Sequence, residues 1–248
     1  MKFLAQSVLV AYPDGLGTGQ RIAGALGSSS LDRSVSHATL SLDSYGLPDG
    51  NVLLEVVNYS KGEVPMVSLI ILAQEPPPHL HSCVAHELLR YIFHNAPADE
   101  ESFTIFVPSA APFPSVDSRH NTAGARLAHK LVINDDLSAR SQMFGELIDA
   151  PQDLQPKDEF LACLVHLMRV MGAPGVILLV PVRRVSPQDG ALVSREKDCA
   201  FQAIAHLGGL LAQWLALEFS TQMMDRSLPE SFITRDARKP GEWRDLYT

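Results

Sequence analysis

Five apolar runs set the limits on how this chain can fold. They are Ser7–Tyr12, Val52–Tyr59, Met66–Ala73, Phe103–Val107 and Gly175–Val182, rich in Val, Ile and Leu. Several lack the polar alternation of a strand with one wet face. Continuous runs of this kind belong to strands covered by helices on both sides. Between them the period changes. Val84, Leu88 and Ile92 recur at i, i+4 and i+8, and Phe160, Leu164, Leu167 and Met171 at i, i+4, i+7 and i+11. Gly172 and Pro174 then stop the second helix. The longest helix is expected from Lys197 to about Met224, with Gly208-Gly209 in its middle for a kink or a close neighbour.

Ser60–Pro65 is too short to hold a crossover helix, so the strands on either side of it form a hairpin. The remainder alternates strand and helix. The expected fold class is therefore α/β: a three-layer α/β/α sandwich with a mixed central sheet. One domain is expected over residues 1–233, followed by a flexible C-terminal tail, 234–248. The polar stretch 113–156 is expected to be a surface excursion with a short helix near Thr122–Lys130.

Charge and composition exclude several classes. With 20 Lys+Arg against 28 Asp+Glu the net charge is −8, which argues against a nucleic-acid partner. No apolar stretch approaches the ~20 residues that cross a bilayer, so no membrane partner is expected. Met1-Lys2-Phe3-Leu4 reads as the approach to a buried first strand rather than as a signal peptide. Cys83, Cys163 and Cys199 stand far apart inside apolar runs, the pattern of reduced, buried thiols in an intracellular protein.

The motifs that could carry chemistry are incomplete. Asp14-Gly15-Leu16-Gly17-Thr18-Gly19-Gln20 stands where a phosphate-binding turn would, but its spacing is GxGxG. The expected account is a tight strand-to-helix turn that needs positive φ or close packing. His79, His81, His86 and His94 gather near Glu87, yet the HExxH zinc motif fails because Arg90 takes the second ligand's place. Asp117-Ser118-Arg119-His120 has hydrolase residue types without a nucleophile elbow. Asp135-Asp136 and the Asp149/Asp153 pair read as solvated acids. No catalytic residue, metal or cofactor is expected, and the chain is read as a binding protein rather than an enzyme. The alternative is an enzyme of nucleoside or phosphate chemistry using the Gly15–Gly19 turn. A third reading is a structural subunit using apolar surface around Phe113 and Val116.

The last three residues carry the strongest signal. Leu246-Tyr247-Thr248 joins an apolar side chain, a tyrosine and a terminal carboxylate, which suit two apolar slots and a pocket lysine. This ending, on an α/β domain of this size, resembles the proteasome assembly chaperone 1 family, whose members end in a hydrophobic-Tyr-Thr terminus. Further likeness lies in the helix through Phe160-Leu161-Ala162-Cys163-Leu164, in Met171-Gly172-Ala173-Pro174-Gly175 with the strand after it, and in Phe103–Val107. The first strand with its glycine turn is also what the wider family shows. The longer charged extension of animal members is missing here and residues 113–156 have no counterpart, as in a divergent or plant-type member.

The resemblance implies a fold akin to purine nucleoside phosphorylases without their activity. It implies a heterodimer with proteasome assembly chaperone 2 that binds the alpha ring of the 20S core particle, blocking alpha-ring dimers and premature regulator docking. Leu246, Tyr247 and Thr248 would enter a pocket between alpha subunits, the fifth and sixth, with the Thr248 carboxylate on a lysine. The compartment implied is the cytoplasm, and also the nucleus.

Overall fold

Strand β1 (Ser7–Ala11) shows how the layers arise. Its side chains point alternately to opposite faces. Val8 and Val10, with Tyr12 just beyond the strand, enter one apolar core; Leu9 and Ala11 enter the other. Residues with no exposed face need helices above and below, and the computed structural model supplies both. It describes residues 4–47, 50–97, 103–112, 128–134, 145–150, 158–182 and 190–226.

After β1 come helix α1 (Thr18–Ala25), the short strand β2 (Leu26–Gly27) and strands β3 (Asp32–Leu40), β4 (Val52–Lys61) and β5 (Val64–Leu72). Helix α2 (His81–Asn95) precedes β6 (Thr104–Pro112), β7 (His129–Ile133) and β8 (Ile148–Asp149). Helix α3 (Glu159–Met171), β9 (Gly175–Val182), α4 (Gly190–Leu215), β10 (Glu218–Phe219) and α5 (Thr221–Arg226) complete the order. The main sheet runs β3-β4-β5-β1-β6-β9-β7-β8. Its centre, β5-β1-β6-β9, is parallel. β3-β4-β5 is an antiparallel meander, and β7 runs antiparallel to β9 but parallel to β8. The sheet is mixed, as expected.

One face packs against α2 and α3 through Val84, Leu88, Ile92, Phe160, Leu164 and Met168. The other packs against α1, α4 and α5 through Ile22, Ile204, Leu207, Leu211 and Met224. Asp158 caps α3, its carboxylate accepting the Leu161 N–H at 2.9 Å, and Gly172 ends that helix at φ 71°. A side chain there would be strained, so the stop read from the sequence is a backbone requirement.

Four expectations change. The hairpin loop is only Gly62-Glu63, since Lys61 already pairs with Val64. The long helix is displaced toward the N-terminus: it begins at Gly190 and ends at Leu215, where Ala216 turns the chain at φ 52°. Gly208 gives α4 its close neighbour, because a Cβ there would lie 2.2 Å from the Phe219 ring. The excursion 113–156 contains two strands of the main sheet, so His129 and Lys130 are extended rather than helical. The other residues of that expected helix, and residues 234–248, lie outside the described residues. None of the described helices is long and apolar enough to cross a membrane. Cys83, Cys163 and Cys199 are free, but only partly buried where buried thiols were expected.

Candidate functional site

The chain leaves β1 between β5 and β6, and its next connections pass to opposite sides. In open α/β sheets this carboxyl edge is where ligands bind. Here the edge is filled by the protein's own side chains. Asp14 is only 3% exposed. Its Oδ1 accepts the N–H groups of Leu16 at 3.0 Å and Thr18 at 2.8 Å, and its Oδ2 accepts Ala110 N–H at 2.7 Å. Gly17 at φ 62° lets the turn close round the carboxylate. Gly19 brings α1 against the sheet, since a Cβ there would stand 3.0 Å from Ala11 Cα and 3.2 Å from Pro108 O.

The turn therefore has the donors of an anion cradle, but a carboxylate from the same turn occupies them. A phosphate would have to displace Asp14. Burial pushes the Asp14 carboxyl above its usual range, against the pull of the N–H groups that favour its charged form. The observation on which the nucleoside reading rests, a glycine turn opening a helix, is thus explained by an internal ligand.

A second polar chain runs beside it. Tyr12 Oη donates to Asp158 Oδ2 at 3.1 Å, and Ser109 Oγ lies 2.7 Å from the same hydroxyl. A phenol has one proton, so the Ser109 hydroxyl is left to donate to it. Burial first, then the charges of Asp158 and Asp14, push the phenol well above its usual range. It is a neutral strut joining β1, β6 and α3. Tyr12→Phe should keep the ring packing on Phe160, whose centroid is 5.0 Å away, and lose about 1–2 kcal/mol of stability in urea unfolding. An unchanged midpoint would remove the strut.

The histidines do not converge. His81, 6% exposed, shares a hydrogen bond of 2.9 Å with Pro76 O. His86 Nδ1 lies 2.5 Å from Tyr45 Oη, while Glu87 receives Arg90 at 2.8 Å. His79 is exposed, and His94 lines a cleft of about 720 Å³ with Thr39, Ser41, Glu87, Arg90 and Met171. Among the described residues no three His, Cys, Asp or Glu side chains are placed to hold a metal. Asp149 is exposed, 3.6 Å from Lys130. Phe113, Val116, Asp117, Ser118, Arg119, His120, Asp135, Asp136, Asp153 and the terminal Leu246, Tyr247 and Thr248 lie outside the described residues.

A family model described as a domain of unknown function, DUF7894, matches residues 1–248. The chain belongs to that family. Among curated proteins nothing matches. Solved structures share the fold of the DUF7894 chain. PbaB of Pyrococcus furiosus, an archaeal proteasome activator, is 14% identical with a TM-score of 0.56, over 91% of this chain and 90% of that one. PbaA of the same organism, an archaeal homologue of proteasome-assembly chaperone, is 13% identical with a TM-score of 0.52, over 98% and 91%. A PAC2 family protein from Streptomyces avermitilis is 14% identical with a TM-score of 0.52, over 98% and 100%. At these identities the likeness is one of fold.

Sequence reasoning missed the role of Asp14. Its signal was present: an aspartate leaving a strand, two and four residues before backbone N–H groups that need an acceptor.

Proposed function

We propose that this DUF7894 protein is a proteasome assembly factor without a catalytic site. The observation that carries the reading is the fold it shares, over nine-tenths or more of both chains, with PbaB and PbaA. The Asp14-filled turn supports it, because it takes the donors a nucleoside enzyme would keep for its phosphate. In this reading the chain pairs with a second chaperone of the proteasome assembly chaperone 2 type and holds the alpha ring of the 20S core particle. Leu246 and Tyr247 fill a pocket between alpha subunits, the fifth and sixth, while the Thr248 carboxylate meets a lysine. The site of action is the cytoplasm and the nucleus.

Three residues bury little area, so one tail alone binds modestly, and the partner's docking raises its effective concentration. Affinity capture from cell extract tests this with the intact chain and one lacking Leu246–Thr248. The intact chain should recover a second small chaperone and alpha subunits. The shortened one should keep the chaperone, unfold at the same temperature and lose about tenfold or more of the alpha subunits. Equal recovery by both removes the tail mechanism, and recovery of no proteasome subunit by either removes the assembly role.

A further inference from the structure

Strand β3 closes the main sheet on one side. It is nine residues long, and among the described residues nothing pairs with its outer edge. An open edge of that length is a template for another strand. It also carries uncovered apolar surface: Val35 is 44% exposed, and Leu53 of β4, opposite Thr39 on the same face, is 54% exposed.

The sequence holds a segment that fits this edge. Phe219 pairs with Leu26 and Ser220 N–H donates to Ala25 O, which fixes the start of α5 beside β2. Gly27 is five residues from Asp32, at most about 18 Å of extended chain. After Arg226 there remain 22 residues, enough to run the length of β3 and return along it. Near the end of this stretch stand Glu242-Trp243-Arg244-Asp245-Leu246-Tyr247, just past Pro240-Gly241.

Set antiparallel to β3 with Trp243 opposite Val35, this segment places Asp245 opposite Arg33. Arg244 then falls opposite Ser34, diagonal to Asp32. That gives an aromatic–β-branched pair and opposite-charge contacts on both faces. A shift of two residues one way keeps opposite charges in contact, Arg244 opposite Asp32, but moves Trp243 from Val35 to Arg33. A shift the other way sets Asp245 against Val35, so the Trp243–Val35 pair and the charges together choose the register. We propose that residues 242–247 dock on β3 as a ninth strand of the main sheet. If the preceding reading is correct, the tail that enters the alpha ring is held on its own sheet until the ring competes for it. The docking itself does not depend on that reading.

The test is amide hydrogen exchange on the full chain at several protein concentrations, for wild type, Arg33→Asp, Asp245→Arg and the double variant. In wild type, peptides covering 31–36 and 242–247 should exchange about tenfold more slowly than in either single variant. The double variant should regain the protection, because it restores the pair with its charges exchanged. Equal exchange in all four chains overturns the proposal, as does a double variant that stays unprotected. Protection that grows with protein concentration marks a second copy on β3 and also overturns it. No proteasome subunit is present, so a negative result leaves the ring reading intact.

Discussion

Replacing Asp14 by alanine should cost the fold about 3–5 kcal/mol, measured as the loss of unfolding free energy in urea. The variant leaves the N–H groups of Leu16, Thr18 and Ala110 without their acceptor, at a position where the Asp14 side chain is itself buried. Each orphaned donor costs about 1–3 kcal/mol, and release from burying a carboxylate offsets part of the sum. Asp14→Asn should fall between, since its amide oxygen can serve one side of the turn while its NH2 faces a donor on the other. A pH series separates this site from ordinary packing. The folded protein holds the Asp14 proton more tightly than the unfolded chain, because burial raises the carboxyl. Between the unfolded and folded values the native state carries more protons, so this group's contribution to stability declines as pH rises. The wild-type curve should therefore fall relative to the alanine curve across that window. Parallel curves would mean that the carboxylate is not held as described.

The other large effect is expected at Gly175. A Cβ on it would lie 2.4 Å from Met168 Cε and 2.7 Å from Ile105 O. The methionine end can move, but Ile105 is paired with Gly175 in the middle of the sheet, and its carbonyl cannot yield. Gly175→Ala should lose about 3 kcal/mol, and Gly175→Val more, with a fall in soluble yield. Gly209 is the control. Nothing lies within 4 Å of a Cβ there, so Gly209→Ala in helix α4 should be neutral or stabilise by up to about 1 kcal/mol. Equal losses at the two positions would show that backbone conformation, and not the close approach, sets the cost.

The strands that could be read from the sequence are those buried on both faces over most of their length. β1, β4, β5, β6 and β9 lie inside the sheet, and their apolar runs announce that burial. β3 escaped because an edge strand over a partly uncovered face has no reason to be apolar: Asp32, Arg33, Ser34 and His37 are all exposed. β7 and β8 escaped because they lie in a polar stretch, and β7 finds its pairing with β9, which follows it by more than forty residues. Local pattern does not encode that pairing. The end of α4 was misplaced because no glycine or proline marks it, only Ala216 in a left-handed turn. At the carboxyl edge, the glycines were legible as a tight strand-to-helix turn, with Gly17 at positive φ and Gly19 closely packed, but the aspartate before them was not legible as the acceptor. The histidine cluster, close in sequence, is separated by the geometry of α2 and by the turn that precedes it.

The place of β1 in the sheet bears on how the chain is made. It lies between β5 and β6, yet it is the first strand in the sequence; Ser7 pairs with Val67 on one side and with Thr104 on the other. At ordinary rates of synthesis the second partner leaves the ribosome about 5–20 s after the first strand. Until β5 emerges Val8, Leu9 and Val10, fully buried in the finished protein, have no sheet to join. The meander of β3, β4 and β5 can close from neighbouring segments meanwhile and offer β1 one edge. The nascent chain therefore presents a strand destined for full burial early and needs it covered, so its yield should follow the supply of factors that shield emerging polypeptides.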